Sequence, residues 1–288
     1  MSGRHASTPA HLRQPGMALI AVLWMVAFLS IVATGITRSI RLETRTAALA
    51  WQKTEAQALG EGAVQIALQA LTAKPQPLNQ MTQAEITYRG VAMQVQVTPL
   101  NGLVDINAAG SVLLEKTFAI AGGLPAQAAQ AAAQAVIEAR QRRDAQGRVQ
   151  RFEAEEDLMQ VPGIDYDLYA RLAPLLTADL SGSGRVNPLA APVEVLAVLS
   201  GGNAGAAAQI AASRDAGAVG VDTSSLDGSL VDNASTRTLR LQARVPMADG
   251  TIVRVSRSVD LSARTTDGAP WHTFRTSTSV ESLPSKKS

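Results

Sequence analysis

From Met17 to Thr37 the chain runs twenty-one residues without a charge, "MALIAVLWMVAFLSIVATGIT". At about 1.5 Å per helical residue this run matches the roughly 30 Å hydrocarbon thickness of a bilayer, so it predicts a single membrane crossing. No proline occurs between Pro15 and Pro75, and Arg38 to Ala73 is rich in Ala, Leu, Gln and Glu, all compatible with helix. Leu42, Leu49, Ala56, Ala63 and Ala67 recur at roughly helical spacing, while Arg45, Lys53, Glu55 and Glu61 take the water side. The pattern predicts one long helix over 17–74, its second half laying an apolar stripe on a domain.

After Pro75 and Pro77 the period falls to two. In "EITYRGVAMQVQVTP" the residues read as two strands with a turn at Arg89 and Gly90, and Val91, Met93, Val95 and Val97 share one face. This β segment is placed at 75–105. Helix then returns over 106–216, where "DINAAGSVLL…AIAGGLPAQAAQAAAQAVIEAR" aligns loosely with "RVNPLAAPVEVLAVLSGGNAGAAAQIAASR". Asn107 matches Asn187, Gly122 and Gly123 match Gly201 and Gly202, and Arg140 matches Arg214. Each copy reads as helix, Gly turn, helix, which buries its apolar face only against a second copy. An acidic loop follows at 217–236. Over 237–276 alternation resumes, with Leu239, Leu241, Ala243 and Val245 inward, Arg240, Gln242 and Arg244 outward, and a turn at Ala248, Asp249 and Gly250. "PWHTFRTS" adds one short strand, and 277–288 reads as a disordered tail.

The start of the chain sharpens the first element. A removable signal peptide usually carries an apolar run of about 7 to 15 residues ending in a small-x-small site, and this run is longer with the poor site "VATGITRS" at its end. Arg4 and Arg13 before it favour a cytoplasmic N-terminus, although Arg38, Arg41 and Arg45 reduce the asymmetry. Taken alone, the stretch also suits an unprocessed single-pass anchor. Composition adds exclusions: no cysteine means neither disulfide framework nor thiolate metal site, and 3% aromatic content favours close small-residue helix packing over an aromatic ligand cavity. The net charge of +2, with part of the excess in the leader and in Lys286 and Lys287, selects no nucleic-acid surface.

Catalytic chemistry is not legible. Outside the leader the one histidine is His272, and "DLSGSGRVNP" lacks the lysine and spacing of a phosphate loop. The expectation is a protein that is not an enzyme and requires no cofactor. Between the two helical copies, Leu158, Val161, Pro162, Gly163 and Ile164 resemble a helix-hairpin-helix turn, whose backbone N–H groups meet phosphate in DNA-binding proteins. Glu153, Glu155, Glu156, Asp157, Asp165 and Asp167 crowd that turn and would repel a phosphate backbone, which favours a structural hairpin. A membrane-anchored DNA-binding module acting in DNA uptake stays as the alternative function. Val161, Ile164, Leu168, Leu172, Leu175 and Leu196 are the expected core of the helical part.

A short basic leader ending in Gly16, a cut before the hydrophobic Met17 and a long helix starting there resemble type IV prepilin-like proteins. Within that class "GMALIAVLWMVAFLS" is similar to the minor pseudopilin K family of type II secretion, and so are "LMQVPGI" and "VNPLAAPVEVL". Most pilins have Glu at the fifth mature position; this chain has Ala21, an absence typical of the K subunits. The resemblance implies an α+β, pilin-like fold: a membrane-spanning N-terminal α-helix, an antiparallel β-sheet and an inserted all-α domain of helix-hairpin-helix or SAM-like character. It implies a leader over 1–16, cleavage after Gly16 and N-methylation of Met17 by a prepilin peptidase. It implies a single-pass bacterial inner-membrane protein with its bulk in the periplasm, at the tip of the pseudopilus that exports folded proteins in the general secretion pathway. Its implied partners are other minor pseudopilins, the major pseudopilin and the peptidase, with no nucleic acid. Calcium is an implied ligand, with Asp222, Asp227 and Asp232 as candidates. Their five-residue spacing fits no compact loop such as the EF-hand, so a solvated loop is the favoured reading.

Overall fold

A computed structural model describes residues 15–73, 78–143, 146–180, 182–218, 220–262, 265 and 268–281, with the side chains of 15–18 and 31–45 outside the described ones. In chain order the elements are helix α1 (Pro15–Ala73), strands β1 (Thr82–Tyr88), β2 (Val91–Pro99) and β3 (Val104–Asp105), and helices α2 (Ser111–Lys116), α3 (Ala126–Gln141) and α4 (Tyr166–Leu172). They continue with β4 (Leu176–Thr177), α5 (Val193–Leu199), α6 (Ala204–Asp215), β5 (Thr238–Pro246), β6 (Ile252–Asp260) and β7 (His272–Glu281). The chain divides into two compact units, 1–55 and 56–288. The protein is α+β, with an antiparallel sheet and several helices.

Within the second unit a five-stranded sheet runs β1-β2-β5-β6-β7, each neighbour antiparallel. The β1–β2 turn has Arg89 at φ 51 and Gly90 at φ 80, the two successive positive φ angles of a tight hairpin. Ala56, Ala63, Val64, Ala67 and Leu68 of α1 pack on Met93, Val95, Val97, Leu239, Leu241, Ala243, Val245, Val253 and Val255. Gly60 lies in the same stripe: a Cβ there would stand 2.6 Å from Val255 Cγ2, so only a residue without one lets the helix lie this close. In the first unit, Leu49 departs from the expected stripe and is exposed.

Two boundaries differ from the sequence reading. Val104 and Asp105 leave the large sheet and pair in parallel with Leu176 and Thr177, so this end of the expected 75–105 segment belongs with the helices. Residues 277–281, expected in the tail, complete β7 and pair with 252–256 of β6. "STSVE" has no apolar alternation to signal a strand, but backbone pairing does not depend on one. Residues 282–288 lie outside the described ones.

The helices share one core. Leu113, Leu114 and Phe118 from α2 and the π-helical turn after it meet Ala129, Ala132 and Val136 of α3, Leu168 and Leu172 of α4, Val195, Leu196 and Leu199 of α5, and Ile210 of α6. Val161, Ile164, Leu168, Leu172, Leu175 and Leu196 are all buried in it. The two helix-turn-helix copies touch through α2 and α5.

Candidate functional site

Gly16 and Met17 fall inside α1 with side chains outside the described ones, and the rest of the leader, 1–14, lies outside the described residues. Ala21 is exposed, as is every side chain from Leu19 to Ser30. Leu19, Leu23 and Trp24 are more than 70% exposed, at 73%, 71% and 73%, and apolar residues surround the helix there rather than striping it. Among the described residues, no helix is long and apolar enough to cross a membrane. Side chains 31–37 of the expected crossing lie outside the described ones.

The hairpin turn is built from inside. A 3-10 turn over Glu155–Gln160 leads into Val161, whose carbonyl accepts from Ile164 N; both side chains are buried, while Pro162 and Gly163 are exposed and Gly163 takes φ 87. Asp165 caps α4, its Oδ1 accepting from Leu168 N at 2.8 Å. Asp157 Oδ2 accepts from the backbone N–H groups of Glu153 and Ala154. Asp157 and Asp165 thus take up N–H groups on either side of the turn, and a phosphate there would meet their negative charge. Nothing in this arrangement supports the DNA-binding alternative.

Behind the turn the acids face a cation. Arg240, assigned to the water side of β5 by alternation, is 7% exposed and donates through Nη2 to Glu155 Oε1 at 2.7 Å and to Leu176 O at 3.1 Å. The strand assignment holds, but the helices cover this end of the sheet's second face. Thr98 and Ser258, the registered neighbours of Arg240 on β2 and β6, are buried there too. Arg275 of β7 reaches the same carboxylate, with Nε 3.2 Å from Glu155 Oε2, and also meets Asp179 at 3.2 Å and Glu156 at 3.4 Å. Burial pushes the Glu155 carboxyl up against the pull of Arg240 and Arg275, and burial pulls Arg240 down against Glu155. Both partners shift toward neutrality, so desolvation outweighs their attraction. Arg275 resists burial through its hydrogen bonds to Asp179 and the charges of Glu155, Asp179 and Glu156, and is held above the usual arginine value.

The internal repeat has a counterpart in bonding. Asn107 Nδ2 donates to Phe152 O and Ala178 O, and its Oδ1 accepts from Phe152 N. Asn187, 1% exposed, donates through Nδ2 to Asn79 O and Ala234 O, and its Oδ1 accepts from Leu189 N. Arg140 and Arg214, at the ends of α3 and α6, each donate to a carbonyl near the start of their own copy, Ile106 O and Ala191 O. Each copy is thus tied head to tail, and each asparagine joins segments far apart in sequence.

The three calcium candidates do not converge. Asp222 accepts from Ser224 N, Asp227 carries Lys116 Nζ at 2.8 Å, and Asp232 accepts from Ser183 Oγ and Ala234 N. The bond from Lys116, followed by those of Ser229, holds Asp227 down at about 2. Among the described residues no group of three or more His, Cys, Asp or Glu side chains is placed to hold a metal ion, so these residues do not fit a calcium site. Asp232 instead borders a cavity of about 280 Å3 together with Asn101, Asp105, Ser183, Arg185 and Thr236. Asp105, 4% exposed, accepts from Asn107 N through Oδ1, whereas its Oδ2 and Asn101 Oδ1 are buried with no hydrogen-bond partner among the described residues. Burial raises the Asp105 carboxyl to about 6 despite bonds from Asn107 and Ala108 and the charges of Arg151 and Arg140. Sequence reasoning missed this group and the Glu155 cluster. A lone acid in the apolar context "LVDIN" was the available signal for Asp105, and none marked Arg240.

A helix laid on one face of an antiparallel sheet, with a helical insertion between β2 and β5, is an α+β arrangement that a solved structure shares. Its particular likeness is to a chain of the GspK–GspI–GspJ complex from the type 2 secretion system of enterotoxigenic Escherichia coli, at 16% identity and a TM-score of 0.50, covering 82% of this chain and 99% of that chain. No protein-family model matches the sequence, and no curated protein sequence matches it.

Proposed function

We propose that this protein is a minor pseudopilin of type II secretion, a structural subunit with no catalytic role and no required cofactor. The observation that carries the reading is the fold shared with a chain of the GspK–GspI–GspJ complex, and it is supported by the basic leader ending at Gly16. A prepilin peptidase cuts after Gly16 and methylates the amine of Met17; a residue without a side chain at the cut lets the protease approach the backbone closely. Met17 to Thr37 then anchors the protein in the inner membrane, with the bulk in the periplasm. Its partners are two further minor pseudopilins, counterparts of GspI and GspJ, and the major pseudopilin below them.

Ala21 supports a position at the tip. In a pilin-like fibre the fifth-residue carboxylate sits in an apolar core and is tolerable only when paired with a neighbour's terminal amine. A subunit with Ala21 offers its own amine but cannot neutralise another's, so it lacks one contact of a repeating shaft subunit. The insert of 106–216 would also crowd neighbours at every fibre step, whereas a single copy at the end has free space. N-terminal sequencing of the membrane-bound protein should begin at methylated Met17, and immunogold labelling of sheared fibres should mark one end. A start at Met1 or near Ile36, or label along the length, overturns the reading.

A further inference from the structure

We propose that the cleft between the helices and the second face of the sheet, bordered by Gln96, Gln242, Ile120, Leu175, Arg171 and Glu194, receives a short extended segment of a partner protein. That segment lays one aliphatic side chain in the cleft and carries an acid and a base on either side of it; this goes beyond the minor-pseudopilin reading and does not depend on it. The sheet shows how the cleft arises, through registered rows that cross β2, β5 and β6 on that face. Thr98, Arg240 and Ser258 are buried under the helices, whereas Gln96, Gln242 and Ser256, two residues along, are half-buried. Gln94 and Arg244, two further, are exposed. The face thus emerges from beneath the helical insert in steps, and the wedge that opens holds about 560 Å3. Binding pockets of about 300 to 1,000 Å3 form preferentially where two packed parts of a molecule meet.

The lining decides the class of ligand. Ile120 from the π-helical turn, Leu175 after α4, and Pro192 and Ala197 at α5 form an apolar wall. An aliphatic side chain laid against that wall leaves water, which is the main favourable term in such binding. On the sheet side the carboxamides of Gln96 and Gln242, registered opposite each other, carry both donors and acceptors and so match the N–H and C=O groups of an extended backbone. Arg171 in the last turn of α4 and Glu194 in the first turn of α5 add one exposed charge of each sign, which an acid and a base on the segment complement. Other ligand classes lack their partners here. None of the described lining residues is aromatic, so a planar ring has nothing to stack on. A phosphate calls for a surplus of cations, but Arg254 is paired with Glu281 and Glu194 offsets Arg171. A metal ion calls for gathered ligands, and no group of three or more His, Cys, Asp or Glu among the described residues provides them.

The full chain in detergent micelles, labelled at the methyl groups of Ile, Leu and Val, is titrated at neutral pH with acetyl-Lys-Ser-Leu-Ser-Glu-amide and with acetyl-Glu-Ser-Leu-Ser-Lys-amide, and followed by NMR. One of the two peptides is expected to give saturable shifts at Ile120 and Leu175, and which one does so reports the direction of the bound chain. Exchanging its leucine for serine should weaken binding by at least about tenfold, since one aliphatic side chain then stays out of the wall. Ala197→Trp, which fills the cleft, should abolish the shifts. Arg171→Glu, a change at an exposed position, should weaken binding about threefold and keeps the test alive should Ala197→Trp fold poorly. Free leucine binding as tightly as the peptide would make this a small-molecule site, and shifts that appear only in a variant lacking residues 282–288 would make that segment the occupant. Either result overturns the proposal, as does the absence of saturable shifts with both peptides, or undiminished binding in both variants.

Discussion

Removing the Glu155 carboxylate would leave the buried Arg240 guanidinium with Leu176 O as its remaining hydrogen-bond partner. An uncompensated buried charge of this kind costs about 3 to 5 kcal/mol, so Glu155→Ala should lower the denaturant midpoint strongly. The pair as a whole is a different matter. Glu155→Leu combined with Arg240→Met should recover most of that loss, because both charges are already disfavoured by burial. Failure of the double variant to exceed the single one would mean that the pair carries net stability. Asp105 gives a pH-dependent counterpart. Its folded value of about 6 stands above the ordinary 3.8, so its contribution is fullest below pH 3.8, is lost as pH rises to about 6, and stays flat beyond. A shift of this size corresponds to roughly 3 kcal/mol. Asp105→Asn keeps an oxygen for Asn107 N and should raise the unfolding temperature at pH 7 more than at pH 4. Equal pH dependence of the two proteins would contradict the unpaired carboxyl.

Among the elements, α1 depends on close approach to the sheet. Ala56, Gly60, Ala63 and Ala67 keep its inner face shallow, so that the helix backbone lies near Val245 and Val255. Gly60→Val, with Val255 Cγ2 in the way, should cost about 1 to 3 kcal/mol as overpacking, read as a fall in unfolding temperature. An unchanged temperature would mean that this part of α1 can lift off the sheet freely. At the far side, β7 is an edge strand of Thr and Ser whose Arg275 reaches back to the helices, so the strand's place depends on a side-chain bridge as well as on backbone pairing with β6.

At the scale of the molecule, the second unit has one apolar cluster under the helices and another between α1 and the sheet. Polar contacts lock the two together: Arg240 and Arg275 reach Glu155 from the sheet, and Asn187 holds the segments at residues 79 and 234 that flank the sheet strands. Helix and strand signals should therefore be lost in a single thermal transition. Leu172→Asp, which buries a charge in the helical core, should lower that transition by several kcal/mol without splitting it. A helical melt that leaves the strand signal intact would show the two clusters to be independent.

What the sequence determined by itself is whatever a local period can encode. The β1–β2 hairpin with its Arg89–Gly90 turn, the inward residues of β5, the stripe of α1 from Ala56 and the buried side chains of the hairpin turn were legible, because each lies in a periodic segment whose apolar residues must share one face. The asparagine and arginine matches of the repeat were legible as matches, though not as bonds. Tertiary structure decided the rest: the pairing of Val104 and Asp105 with Leu176 and Thr177, the length of β7, the burial of Arg240 and the unpaired oxygens of Asn101 and Asp105. Alternation says which side of a strand a residue faces, but whether that side meets water or helices depends on segments many residues away, brought there by packing that leaves no period in the chain.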